Sequence, residues 1–128
     1  MIVVDASALV VAVVDTSARS QAAGEAMRSG PTAPHLVDAE LGHALWGLVR
    51  RRLISPAHGL RSLALGHDLV LERVDHSSLM GRAWELRDNV SFYDALYVAL
   101  AEARALTLLT ADARLAASPG PRCEFEVV

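Results

Sequence analysis

The chain has 128 residues, 52% of them apolar and 21% charged, with a net charge of −3. That is one domain's length with enough apolar side chains for a core, which excludes a disordered chain. All 12 basic residues are arginine, so lysine-dependent chemistry such as the P-loop or a Schiff base is excluded, and the acidic balance excludes nucleic-acid binding through bulk charge. The apolar run from Ala8 to Val14 is too short to span a bilayer and no basic residue precedes it. A cytosolic protein without a membrane partner is expected. The single cysteine, Cys123, rules out an intrachain disulfide and any multi-cysteine zinc site.

In chain order, "IVVD" (Ile2 to Asp5) predicts a short apolar strand ending in an acid. "ASALVVAVV" is open between two readings: its valines favour a strand, its length and Ser7 permit a helix. "SARSQAAGEAMRSGP" predicts a helix with Ser17 as N-cap and Gly30-Pro31 as the stop. "TAPH" is a brief extended piece. "VDAELGHALWGLVRRR" predicts an amphipathic helix with Leu41, Ala44, Leu45 and Leu48 on one stripe. Its three terminal arginines suit the negative end of the macrodipole. Ser55-Pro56 opens another helix, with proline at the first helical position. "LVLERV" predicts a strand, and "SSLMGRAWELRDN" a helix with Leu79, Met80, Ala83 and Trp84 on one face. "SFYDALYVALAE" follows (Ser91 to Glu102), apolar nearly all round after Asp94 and therefore a buried helix. "LTLLT" predicts a strand, "ADARLAAS" a short helix and "CEFEVV" a last strand. Strands separated by helix-length segments imply an α/β fold: a parallel sheet covered on both faces, with right-handed connections, in one domain over residues 1–128.

Buried parallel strands should carry no charge, so acids at the ends of elements are informative. Asp5 directly follows "IVV", and Asp112 follows "LTLLT" by one residue. Glu40 is placed in the first turn of the helix after "TAPH", and Asp94 in the first turn of the buried helix. Ligands of open α/β sheets bind beyond the carboxyl ends of the strands; in such a topology Asp5, Glu40 and Asp112 fall on that rim, and Asp94 joins them by starting a helix packed on the sheet. Each has a plainer reading. Asp94 completes a capping box with Ser91, Glu40 and Asp112 favour helix N-termini, and Asp5 caps the next helix. Singly these readings suffice; together they leave the crowding unexplained. Two like charges about 4 Å apart repel by roughly 4 kcal/mol at an effective dielectric near about 20. Without lysine, a divalent cation is the natural counter-charge, and oxygen-only ligands suit Mg²⁺ or Mn²⁺. That donor set points to phosphodiester or phosphoryl hydrolysis.

Four stretches, "VVDASAL", "APHLVDAELGHAL", "SFYDALYVALAEA" and "LLTADARLA", resemble the PIN-domain family, and most closely the VapC-type toxins of bacterial toxin–antitoxin pairs. The resemblance spans nearly the whole chain, in order. It implies a three-layer α/β/α sandwich around a mostly parallel sheet of about five strands. It implies an Mg²⁺- or Mn²⁺-dependent endoribonuclease that cleaves RNA by a metal-activated water, leaving a 5′-phosphate and a 3′-hydroxyl. Carried over by position, the family's catalytic and metal-binding acids fall on Asp5, Glu40, Asp94 and Asp112, supported by Ser7 and Thr110. A homodimer is implied, as is inhibition by a small VapB-type antitoxin, with promoter DNA bound only through the toxin–antitoxin complex. The acids often found just beyond the last aspartate are absent here, so Asp112 serves alone.

Two rival readings differ in chemistry. A phosphohydrolase of small phosphoesters with an aspartyl nucleophile carries two closely spaced aspartates after its first strand and a lysine; Asp5-Ala6-Ser7 and the absence of lysine argue against it. A catalytically inactive PIN-fold binding module is opposed by the presence of all four acids. Glu40-x-x-His43 matches half of a carboxylate-bridged di-iron site, but a second such pair is missing. His35, His58, His67 and His76 show no ligand spacing. Arg50, Arg51 and Arg52 read as a solvated helix end, or as contacts to RNA phosphate or an acidic partner. Trp46 and Trp84 read as packing or dimer-interface residues, and Cys123 as structural.

Overall fold

The structure, a computed structural model, describes residues 1–128. Five three- or four-residue strands form one sheet: β1 (Ile2–Val4), β2 (Pro31–Pro34), β3 (Glu72–Val74), β4 (Leu108–Thr110) and β5 (Phe125–Val127). Their order is β3-β2-β1-β4-β5 and all four pairings are parallel. Central β1 pairs Val3 with both Thr32 and Leu108. It is buried throughout, which accounts for its unbroken apolar sequence. The chain moves outward from β1 to β3, then returns to the other side of β1 for β4 and β5. The switch in direction therefore falls between β1 and β4, where this architecture opens a crevice at the strands' carboxyl ends.

Helices flank the sheet. On one side lie α1 (Ala6–Val14), α2 (Ala18–Ala26), α3 (Leu36–Arg50) and α4 (Pro56–Leu69), which pack on one another. The ambiguous "ASALVVAVV" is helical because the Asp5 side chain accepts from the Ala8 N–H and caps it. Ser17 caps α2 and Ser55 caps α4, as the sequence predicts. A single 3₁₀ turn (Met27–Ser29) and Gly30 at φ +96° then turn the chain into β2. The α3–α4 contact is close: a Cβ on Gly66 would lie 2.5 Å from Leu41 Cδ2, and one on Gly59 2.9 Å from Val49 Cγ2.

The remaining helices are α5 (Met80–Glu85), α6 (Phe92–Arg104) and α7 (Ala113–Ala117). Helix α6 packs against β1, β2 and β4 and against α5. Its residues 95–101 are buried on every side, as its sequence predicts. Burying Leu96, Val98 and Leu100 contributes roughly 1.5–3 kcal/mol each. Ser91 caps its start, and Ala105, left-handed at φ 52°, ends it. Arg82 of α5 binds Glu102 of α6 through Nε at 2.6 Å and Nη2 at 3.1 Å and also donates to the Gly120 carbonyl.

Three element boundaries differ from expectation. Helix α4 runs through Leu69, so "LVLERV" supplies a strand only from Glu72. Helix α5 is a six-residue core of the expected "SSLMGRAWELRDN", closed by Leu86 N–H to the Ala83 carbonyl. Its buried face is Leu79, Ala83 and Leu86, while Met80 and Trp84 are exposed. Trp46 is exposed too, so neither tryptophan packs in the core. Helix α3 stops at Arg50 because Arg52 adopts φ 59°. No helix is long and apolar enough to cross a membrane.

Candidate metal centre

At the switch point, Asp5, Ser7, Glu40, Asp94, Tyr97 and Asp112 line one cavity of about 100 Å³. The sequence-predicted acids are thus brought together from four separate elements, and no basic side chain lines the cavity. Asp5, the residue after β1, is 4% exposed and fixed from three directions. Its Oδ1 accepts from Ser7 Oγ at 2.6 Å and from the Ala8 N–H at 2.9 Å, and its Oδ2 accepts from Thr110 Oγ1 at 2.5 Å. Each hydroxyl also accepts a backbone N–H: Ser7 from Ala111 at 2.9 Å and Thr110 from Asp112 at 3.0 Å. With both protons committed to Asp5, the 3.3 Å approach of the two hydroxyl oxygens is a contact and not a further hydrogen bond. Ser7 and Thr110 therefore hold Asp5 and tie β4's exit loop to α1.

Glu40 is the fifth residue of α3, in its second turn and not its first. Asp38 occupies the first turn, bonded to Arg73 and His67. His76 accepts the Leu36 N–H at 3.0 Å and so completes the start of α3. Glu40 Oε1 accepts from Tyr97 Oη at 2.7 Å. Tyr97 is 0% exposed, and Glu40 is its hydrogen-bond partner. The sequence reading counted Tyr97 only as part of an apolar run. The available signal was its position three residues after Asp94 on the same helix, together with the rule that a buried phenol needs a partner.

Asp94 stands in the first turn of α6. Its backbone N–H donates to Ser91 Oγ at 3.2 Å, but its carboxylate does not return a bond to the Ser91 N–H. The box is half-formed, and the Asp94 carboxylate faces the cavity without a well-aligned hydrogen bond; the nearby Ser91 hydroxyl only favours its ionised form. Asp112 is exposed and caps α7, with Oδ1 accepting from the Arg114 and Leu115 N–H groups. Its plainer reading holds, and its Oδ2 is left over.

Burial pushes the Asp5 carboxyl above the ordinary range, against the pull of its hydrogen bonds, with Asp112 adding repulsion. Burial likewise raises Glu40, reinforced by the charges of Asp94 and Asp5, and raises Asp94, reinforced by Asp5 and Asp112. Three acids are thus held partly desolvated beside one another with no basic side chain lining their cavity. No three of them converge into a ready-made cage for an ion. A hard divalent ion fits such a set, because Mg²⁺ takes one or two carboxylates and keeps several waters. The cavity has room for an ion with a few waters.

Residues 2–120 match the family model described as PIN domain. The chain belongs to the PIN-domain family. Within it, the chain groups with the VapC ribonucleases. It is 46% identical to Ribonuclease VapC1 of Mycobacterium tuberculosis, over 98% of this chain and 96% of that protein. It is 43% identical to Ribonuclease VapC9 of the same species, over 100% and 98%. The fold resembles the crystal structure of PAE2754 from Pyrobaculum aerophilum, with TM-score 0.68 and 28% identity over 90% of this chain and 83% of that one. It also resembles the M. tuberculosis VapC20 structure, a Sarcin-Ricin loop cleaving toxin, with TM-score 0.63 and 22% identity over 91% and 94%.

As a PIN domain, the protein positions its acids by rigid means. Asp94 and Tyr97 ride on one buried helix, and Asp5 leaves the central strand. Other conspicuous groups lie elsewhere. Cys123 is half-buried at the opposite end of the sheet, where burial pushes its thiol up to about 11, away from reactivity at neutral pH. His43 stacks on Trp46 with ring centroids 5.5 Å apart, and Arg50 lies over the Trp46 ring.

Proposed function

We propose that this VapC-type PIN domain is an endoribonuclease toxin that requires Mg²⁺ or Mn²⁺ and is inhibited by a cognate VapB-type antitoxin. One observation carries the metal reading: four carboxylates from four elements line one cavity without a basic side chain. Asp94 offers a whole carboxylate, and Glu40 and Asp112 each offer the oxygen left free by Tyr97 and by the α7 cap. Asp5 has about one of its four acceptor positions open, on Oδ2. A divalent ion held there would neutralise charge on an RNA phosphate and lower the pKa of water, the two contributions phosphodiester hydrolysis most needs. Ser7 and Thr110 fix Asp5, and Tyr97 fixes Glu40, so the donors keep their spacing when substrate arrives.

The VapC relatives support an RNA substrate and an antitoxin partner; a homodimer, and promoter DNA contact through the antitoxin complex, belong to the same proposal. The test is expression in a bacterial host with and without the antitoxin. Growth arrest that the antitoxin relieves and Asp94→Asn abolishes is expected. Harmless expression of the wild type, or arrest that survives Asp94→Asn, would overturn the proposal.

A further inference from the structure

The acid cavity is too small to admit a nucleotide, but it opens into a larger groove. That groove, of about 600 Å³, shares Ser7 and Glu40 with the acid cavity. The cavities beside Cys123, His58 and Trp46 share no wall residue with it. Leu36, Ala39 and Ala44 of α3 give it an apolar lining, and Tyr93 and His43 line it too. Tyr93 is 59% exposed, although it directly precedes Asp94 and sits beside a fully buried helix turn. His43 lies one turn beyond Glu40 on α3 and is backed by the stacked Trp46 ring.

We infer that this groove is a nucleobase subsite, in which the base next to the scissile phosphate stacks on Tyr93, with His43 lining the same groove. The inference rests on the ribonuclease reading above and adds where the substrate's base goes. Three features point to RNA in the groove. A phosphate drawn to a cation at the acid site carries its nucleoside into the adjoining space, and this groove shares Ser7 and Glu40 with that site. An apolar lining with two aromatic rings suits a π-face, and with Glu40 as its one charged residue it offers little to a free phosphate. The net charge of −3 denies the chain a bulk electrostatic hold on a polyanion, so affinity must come from elsewhere. Base–aromatic stacking supplies it and tolerates any base.

The experiment uses the full chain with 2-aminopurine riboside 3′,5′-bisphosphate as probe, whose fluorescence falls when its base stacks. Wild type, Tyr93→Ala and Tyr93→Phe are titrated with and without Mn²⁺. Quenching by wild type is expected, with affinity about tenfold weaker in Tyr93→Ala and restored in Tyr93→Phe. Ribose 5-phosphate should compete about tenfold less well than adenosine 5′-phosphate, and Mn²⁺ affinity should be equal in all three proteins. Unchanged binding in Tyr93→Ala would overturn the inference, as would equal competition by the two phosphates. So would a change of oligomeric state in Tyr93→Ala with nucleotide binding intact, which would make the groove a subunit interface. Failure of Mn²⁺ to bind wild type would remove the metal reading and the phosphate's pull toward the groove, while the quenching measured without Mn²⁺ still reads the stacking by itself.

Discussion

At Asp5, hydrogen bonds from Ser7, Ala8 and Thr110 take about three of four acceptor positions while burial still raises the carboxyl's pKa. Glu40 and Asp94 are raised as well. A carboxyl with a raised folded-state pKa binds more protons in the native state than in the unfolded one. Stability of the metal-free protein is therefore lost as pH rises from the ordinary values of 3.8 and 4.5 through the raised ones. On the proposed metal reading a bound divalent ion offsets that loss, so thermal scans should show Mn²⁺ raising Tm more at pH 7 than at acid pH. Asp94→Asn removes one of the crowded charges. It should raise the metal-free Tm at pH 7 by about 3 °C and abolish the Mn²⁺-induced gain. Tyr97→Phe leaves Glu40 without its donor. Manganese affinity, read by calorimetry, should fall about tenfold, with a loss of roughly 1 kcal/mol in stability. Asp5, Asp94 and Asp112 were legible because each stands where an element begins or ends, whereas Glu40 was found by its nearness to the start of α3. Tyr97 was not, because a tyrosine inside an apolar run looks like packing until its hydroxyl's partner is known.

The elements differ in how clearly their sequences announce them. Helices α2, α4 and α6 begin at serine caps that could be read directly, and α6 is apolar all round because sheet and helix both cover it. Strands of three residues carry too little pattern to fix their ends, so β3 was overextended into α4. Glu40 was placed one turn early because α3 starts at Leu36, with His76 supplying a cap from a distant segment. Glycines test the packing in two directions. Gly66→Ala should cost about 1–3 kcal/mol in a denaturant titration, since its Cβ would meet Leu41 in a core contact. Gly24→Ala in α2 has open space around it and should stabilise by about 1 kcal/mol. Arg82 clamps α5 to α6 through Glu102. Arg82→Ala should destabilise by about 2 kcal/mol, because Glu102 keeps only the Arg122 N–H at 2.7 Å.

Across the whole molecule, the sheet order puts the switch point beside the cavity that four acids line. Two sets of carboxylates then respond oppositely to pH. The hydrogen bond from Arg82 holds Glu102 below the usual range, and that from Arg73 does the same for Asp38. Their contribution is present above the ordinary values of 4.5 and 3.8 and is lost as pH falls through the lowered ones. Arginine clamps thus hold the frame together at neutral pH while the site acids strain against it. That is the arrangement expected of a frame built to concentrate negative charge for a cation. The most direct measurement of that claim is cleavage of labelled RNA by the purified chain in EDTA, with Mn²⁺ then restored, for wild type and Asp94→Asn. Wild type should be inactive in EDTA and recover with Mn²⁺, while Asp94→Asn should stay at least about 100-fold slower at saturating Mn²⁺. Undiminished cleavage in EDTA, or wild-type rates from Asp94→Asn, would contradict a metal centre at these acids.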